Sequence, residues 1–305
     1  MIPKSEKQPG MASFVLAHLS DAHLPSLPRP GWLDLAGKRV TGYINWRRKR
    51  RFIHNQAVLE AIVADLRAAA PDHVAMTGDV INLGLREEFV RGRAFLNMLG
   101  SPEAVSVVPG NHDIYVAEAA RLLSAWRRFM ESDEPGIALP YLRRRGPLAI
   151  IGVSSGVPTA PFLATGWVGG EQLARLRLHL IEQKQQGAFR VVLIHHPPVS
   201  DAGSSKRLLD ASVFLRVIAE AGAELVLHGH DHIHSLVRLK GPDGTVPAMG
   251  VPSASAAPGG TWTPAAYNLY RIDGGPGAWT CHAISRGIQA DGTVGEIGRI
   301  DVLAE

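Results

Sequence analysis

The sequence predicts an α/β fold in one domain, with two β-sheets packed face to face and helices outside. Three observations lead there. Up to about residue 232, apolar runs that read as buried strands alternate with helical stretches, an order that favours parallel strands and right-handed crossovers. Beyond it, short β-like runs are separated by Gly-Pro, Asp-Gly and Gly-Gly turns, which reads as antiparallel hairpins. Finally, five of the expected strand ends carry short polar clusters, and the carboxyl edge of an open α/β sheet is where ligands bind.

In order, residues 14–19 form the first expected strand. A basic segment over 29–52 then leads to a helix marked by Leu59, Ile62, Val63 and Leu66 at helical spacing and closed by Pro71. A strand at 73–77, a helix at 86–99 and a strand at 104–108 complete a βαβαβ series. A helical stretch is expected over 117–130 and a strand over 148–153. Leu173, Leu176, Leu180 and Ile181 mark an amphipathic helix over 170–186. A strand at 189–194, a helix at 206–221 and a strand ending at His228 come next. The antiparallel, β-rich part covers 233–305, with runs at 236–239, 246–249, 266–272 and 279–284.

Bulk properties narrow the class. A chain of 305 residues buries a sizeable core without covalent help, and its single cysteine, Cys281, excludes an internal disulfide, reads as a small core residue and fits a reducing, cytoplasmic setting. No apolar run is long enough to span a bilayer, and no signal-peptide pattern opens the chain. Residues 1–12 are expected to be a disordered tail before a single domain over 13–305.

The net charge of +4 is unevenly spread: residues 29–51 hold eight basic side chains against one acid, Asp34, a local +7 that leaves −3 for the rest. This insertion is interleaved with Trp32, Tyr43, Trp46 and Phe52. It reads either as a cap over a site or as a peripheral contact with an anionic membrane surface through Trp32, Leu33, Leu35, Tyr43, Ile44 and Trp46. One short basic segment is too little for a nucleic-acid path.

The polar clusters carry the chemistry. They are Asp21-Ala22-His23, Gly78-Asp79, Gly110-Asn111-His112-Asp113, His195-His196-Pro197-Pro198 and Gly229-His230-Asp231-His232. Imidazole nitrogens with carboxylate oxygens and no nearby thiolate suit zinc, manganese or iron. Alternate residues leaving a strand are expected to point the same way, so that Asp21 and His23 grip one ion together, a geometry His230 and His232 repeat. Two ions roughly 3.5 to 4 Å apart need a shared ligand, and Asp79, with two carboxylate oxygens, is the candidate. Gly78 before it allows a sharp turn. His18, His54, His73, His179, His228, His234 and His282 read as ordinary core, supporting or surface residues.

The five blocks in this order resemble the calcineurin-like metallophosphoesterases, and the resemblance spans residues 19–232. It implies a four-layer α/β/β/α sandwich with two central, mostly mixed β-sheets. It also implies two divalent ions (Mn, Fe or Zn), one held by Asp21, His23, Asp79 and His232, the other by Asp79, Asn111, His195 and His230. His112 would face the substrate, stabilising equatorial oxygens or protonating the departing alkoxide, with Asp113 orienting it or setting its proton affinity. His196 would support the centre without ligating. The expected activity is hydrolysis of a small-molecule phosphodiester, such as a cyclic nucleotide, by a metal-bridging hydroxide. The alternatives are a UDP-2,3-diacylglucosamine diphosphatase or other lipid-linked hydrolase at the membrane surface, and an inactive scaffold of the same fold.

Overall fold

The computed structural model describes residues 13–134 and 139–304. The tail expected over 1–12 lies outside the described residues. In chain order the first half contains β1 (Phe14–Leu19), α1 (Lys38–Asn45), α2 (Gln56–Ala68), β2 (His73–Met76), α3 (Arg86–Leu99), β3 (Val105–Val107) and α4 (Ala117–Leu122). Next come β4 (Tyr141–Arg145), β5 (Leu148–Gly152), α5 (Gly170–Gln185), β6 (Phe189–Leu193), α6 (Ala211–Ala221) and β7 (Leu225–His228). The last part is all strand: β8 (Ser235–Lys240), β9 (Thr245–Gly250), β10 (Ala266–Asp273), β11 (Thr280–Ile288) and β12 (Val294–Asp301).

Among the described residues these strands make two six-stranded mixed sheets, ordered β12-β11-β10-β1-β2-β3 and β4-β5-β6-β7-β9-β8. β1, β2 and β3 are parallel, as are β5, β6, β7 and β9; β10, β11 and β12 extend the first sheet antiparallel from β1, and β4 and β8 pair antiparallel at the margins of the second. β5 and β6 are buried at every position, which fits their sequences, apolar but for Arg190, and their place between two covered faces. Leu16, Ile150, Val191, Leu227 and Tyr270 fill the space between the sheets, together with Cys281. Outside the first sheet lie Leu59, Ile62 and Leu66 of α2 and Phe89 and Leu96 of α3; outside the second lie Leu176 and Leu180 of α5 and Phe214 and Ile218 of α6. The order of layers is therefore α/β/β/α, as expected.

Several elements differ from the reading of the sequence. β4 reads Tyr-Leu-Arg-Arg-Arg and looks like a solvated turn, yet Arg143 is buried because four carbonyls, of Pro102, Val105, Arg128 and Glu131, accept its hydrogens. β12 is a largely exposed edge strand without a buried face to betray it. The helix expected over 206–221 starts only at Ala211, and the Asp210 carboxylate before it is spent on the N–H groups of Val168 and Gly169. The stretch expected over 117–130 divides into α4 and a tighter 3₁₀ segment, Leu123–Phe129, whose Trp126 indole is buried and donates to Phe89 O.

The basic insertion is folded. α1 runs on through a π-helical turn, Trp46–Arg50, into a last turn, Arg51–Ile53. Two of its cations anchor it: Arg39 is buried, donating to Leu83 O and Gly84 O and pairing with Glu118 at 3.1 Å, and Lys38 donates to Thr159 Oγ1 and Leu163 O.

Candidate metal centre

The carboxyl ends of β1, β2 and β3 from one sheet and of β6 and β7 from the other bring the five clusters together. Backbone hydrogen bonds join the segments: the N–H groups of Asp21 and His23 donate to Gly78 O and Asp79 O, and that of Gly229 to His195 O. The local geometry corrects one expectation. Asp21 and His23 lie beyond the end of β1, and both are left-handed, with φ of 53° and 38°, so their shared direction comes from consecutive turns instead of strand alternation. Asp79, His230 and His232 are left-handed too, at 49°, 72° and 56°. Nor do His230 and His232 repeat the Asp21–His23 grip, because each faces a different group of ligand atoms.

The first group is Asp21, His23 and His232. His232 Nε2 lies 3.0 Å from Asp21 Oδ1 and 3.4 Å from His23 Nε2, which stands 3.7 Å from Asp79 Oδ2. The second is Asp79, His195 and His230. His195 Nε2 sits 3.4 Å from Asp79 Oδ2, 3.3 Å from Asn111 Oδ1 and 3.3 Å from His230 Nδ1. Asp79 thus faces both groups through one atom, Oδ2. Its other oxygen, which the two-oxygen bridge would have used, instead accepts the His112 backbone N–H at 2.7 Å.

These atoms fit a cation. His195 Nδ1 donates to Thr77 O at 2.6 Å, so Nε2 bears a lone pair, and it faces a carboxylate oxygen, an amide oxygen and a second imidazole nitrogen. The carboxylate and amide oxygens offer no donor to that lone pair, so a proton or an ion must lie between them. The titration behaviour agrees: burial pushes His195 down, but the charge and hydrogen bond of Asp79, with Asp21 behind, outweigh it and lift the imidazole to about 10. Burial likewise raises Asp21, and the His232 contact overcomes it, holding the carboxyl at about 2. Asp79 is held well below the usual carboxylate range against its own burial, chiefly by the His195 charge.

Two glycines make the close packing possible. Gly78 is left-handed at φ 94°, and a Cβ on it would stand 2.6 Å from Gly110 N. A Cβ on Gly110 would stand 2.6 Å from Asp79 N and overlap the Asp79 carboxylate.

His112 lines the cavity beside both groups, stacked on Tyr115 at 5.4 Å, and its Nδ1 donates to Asn82 O at 2.5 Å. Its partner is thus a carbonyl. Asp113, expected to orient this ring, instead accepts the N–H groups of Gly110 at 2.9 Å and Ile81 at 3.1 Å and fixes the loop; burial and the Asp79 charge push its carboxyl up to about 8 against those two donors. Burial first and the Arg50 guanidinium second push His112 down to about 3.

Other residues escaped the reading of the sequence. Arg50 Nη1 comes within 3.1 Å of His112 Nδ1 and 3.4 Å of His23 Nδ1, although nothing in the basic run marks it off from its neighbours. The His54 ring packs 4.6 Å from that of His23 and bonds Ser255 Oγ. His196, which the sequence did single out as a support, bonds Ser155 Oγ at 2.8 Å and Ala164 O at 3.1 Å, which seats its ring against His230. The cavity over the centre has a volume of about 640 Å³, with Arg50, Asp79, Asn111 and His112 on its floor and Trp262 and Lys206 in its walls.

The family model described as calcineurin-like phosphoesterase matches residues 14–234. A probable cyclic nucleotide phosphodiesterase of Synechococcus is 30% identical over 177 residues, 56% of this chain and 62% of the relative. The match therefore spans about three fifths of that curated relative. Among solved structures, a dimetal phosphatase from Danio rerio superposes with a TM-score of 0.62 at 14% identity, covering 95% of this chain and 98% of that one. A purple acid phosphatase from yellow lupin gives 0.58 at 12% identity, covering 95% and 54%. At such identities these two likenesses show the fold alone.

Proposed function

Since the chain belongs to the calcineurin-like phosphoesterase family, we propose that it is a metal-dependent phosphoester hydrolase whose substrate is a small phosphodiester. The observation that carries this reading is the pair of ligand groups meeting at one oxygen, Asp79 Oδ2. One ion would be held by Asp21, His23, Asp79 and His232, and the other by Asp79, Asn111, His195 and His230. Their mixed N and O donors suit zinc, manganese or iron. When bound, the two ions supply an activated water and neutralise phosphoryl charge. The chain's own part is to fix the geometry: Thr77 O sets the His195 tautomer, Asn82 O sets that of His112, and the Asp113 carboxylate holds the loop that presents Asn111.

The diester, and a cyclic nucleotide in particular, is supported by the name of the Synechococcus relative and by the cavity wall. There the Trp262 indole is pinned by its Nε1 hydrogen bond to Ala257 O at 2.6 Å and offers a flat apolar surface to a base. A cytoplasmic setting belongs to this reading. The complete donor sets argue against an inactive scaffold.

The test is a substrate panel assayed after metal removal and reloading with manganese, zinc or iron in turn. It holds bis-p-nitrophenyl phosphate, p-nitrophenyl phosphate, cyclic nucleotides and a UDP-linked lipid. Reloaded protein is expected to turn over diesters faster than the monoester, and stripped protein to turn over nothing. Monoester-only activity sinks the diester reading, and activity that survives metal removal sinks the whole.

A second reading, a lipid-linked pyrophosphate met at a membrane surface, is favoured by the outer side of the insertion. Trp32 is 82% exposed, Phe52 62% and the neighbouring Phe162 86%, while Arg47, Arg48, Lys49 and Arg51 are exposed and, among the described residues, have no carboxylate within 4 Å. Among the described residues no helix is long and apolar enough to cross a membrane, and the contact proposed is a peripheral one. Replacing Arg47, Arg48 and Arg51 with glutamine is expected to weaken sedimentation with anionic liposomes, most clearly at low salt because attraction fades beyond roughly 8 Å at physiological ionic strength. Turnover of a chromogenic diester should stay within about twofold, as removed surface charges lie outside the ligand groups. Parent protein that ignores liposomes ends this reading.

A further inference from the structure

We propose that Arg50 is the substrate-anchoring residue of this site, binding a non-bridging phosphoryl oxygen beside the two ions. The inference rests on the phosphoesterase reading and adds to it a residue that none of the five clusters contains.

The first ground is an unanswered charge. The Arg50 guanidinium lies 3.1 Å from His112 Nδ1 and 3.4 Å from His23 Nδ1, and neither atom is a counter-charge. His112 Nδ1 already donates to Asn82 O, and His23 Nδ1 stands 3.3 Å from Ile81 O. Among the described residues no carboxylate oxygen comes within 4 Å of Arg50. The buried arginines Arg39 and Arg190 are answered in full, by Glu118 and two carbonyls and by Glu224 and three carbonyls, whereas Arg50, half-buried at the cavity, meets no protein acceptor of that kind. An arginine in a concave site with unspent donors is awaiting acceptors. Beside two dications its charge is also repelled, and an anion seated between them relieves both repulsions at once.

The second ground is how the residue gets there. In the turn Trp46–Arg50, the Arg51 N–H reaches back five residues to Trp46 O. One extra residue in a helical turn rotates the residues after it by roughly 100° relative to an uninterrupted helix. Arg47, Arg48, Lys49 and Arg51 face solvent, whereas Arg50 lines the cavity with Asp79, Asn111 and His112. The anchors Arg39 and Lys38 hold the helix in that position. A planar guanidinium fork matches two phosphoryl oxygens in a way that an ammonium group does not.

The experiment compares parent, Arg50→Gln and Arg50→Lys protein, all metal-loaded. It measures bound metal per chain, thermal unfolding, binding of inorganic phosphate by calorimetry, and KM against kcat for bis-p-nitrophenyl phosphate. Arg50→Gln is expected to weaken phosphate binding and raise KM by about ten- to a hundredfold, the range for losing a hydrogen bond between charged groups. Metal content and unfolding temperature should match the parent, and Arg50→Lys should recover part of the loss. Unchanged phosphate affinity in Arg50→Gln overturns the proposal, as does loss of bound metal or of thermal stability, which would make Arg50 a prop of the centre. A parent protein that holds two ions and binds phosphate but hydrolyses no ester defeats the activity reading while leaving the role of Arg50 intact.

Discussion

Asp79→Asn is expected to abolish turnover and to lower the metal content below two ions per chain. Oδ2 of this carboxylate faces His23 on one side and His195 on the other, so a single neutralisation weakens both ion sites. Losing a supporting partner outside a metal's ligand set already costs about 10- to 100-fold in affinity or activity, and a shared ligand should cost more. The fold should survive: an asparagine oxygen can still accept the His112 N–H that now goes to Oδ1, and Gly110 leaves room for either side chain. Elemental analysis with steady-state kinetics decides the matter. Two retained ions and kcat within tenfold of the parent would show that Asp79 is not the bridge.

His112→Ala is expected to slow hydrolysis by roughly 10²- to 10⁴-fold, the span for removing a positioned acid or base, while both ions remain. The ring holds on to Asn82 O and Tyr115 and belongs to neither ligand group, so nothing about the metals depends on it directly. Burial and Arg50 keep it neutral at ordinary pH, with its proton on Nδ1 toward Asn82. To protonate a leaving alkoxide it must therefore first take up a proton on Nε2 from the water that fills the cavity it lines, and then pass that proton on. The loss should then be steepest for poor leaving groups. Equal loss across leaving groups would assign His112 to equatorial oxygens, and loss of metal would remove it from the substrate altogether. Asp113→Asn should act differently, by loosening the Gly110 and Ile81 contacts, and should lower thermal stability along with rate.

The candidate metal centre was legible in the sequence because its chemistry dictates residue types, and because buried parallel strands write themselves as largely apolar runs that end where the candidate ligands begin. Asp21, His23, Asp79, Asn111, His195, His230 and His232 all arrive at one place. What stayed hidden depends on direction. No pattern states that Asp79 turns one oxygen to the ligands and the other to a backbone N–H, or that His112 leans on a carbonyl instead of its neighbour Asp113. Arg50 was hidden in plain composition, one arginine in a run, distinguished only by an extra residue in a helical turn. β4 was hidden for the opposite reason, since three arginines look solvated until the carbonyls that receive Arg143 are in view.

Among the described non-glycine residues, seven have positive φ, and five of them are Asp21, His23, Asp79, His230 and His232. Aspartate and histidine are among the few residues with side chains that enter this region with some frequency, whereas β-branched residues are excluded from it. The residue types that ligate metal are therefore also types the backbone tolerates here. Mutational drift meets two barriers at each of these positions. A valine or isoleucine would lose both the donor atom and the turn, while an asparagine would keep the turn, giving up charge at Asp21 and Asp79 and the imidazole nitrogen at the three histidines. A lineage losing this activity would thus be expected to pass through asparagine or glycine at these five sites, keeping its shape well after its chemistry had gone.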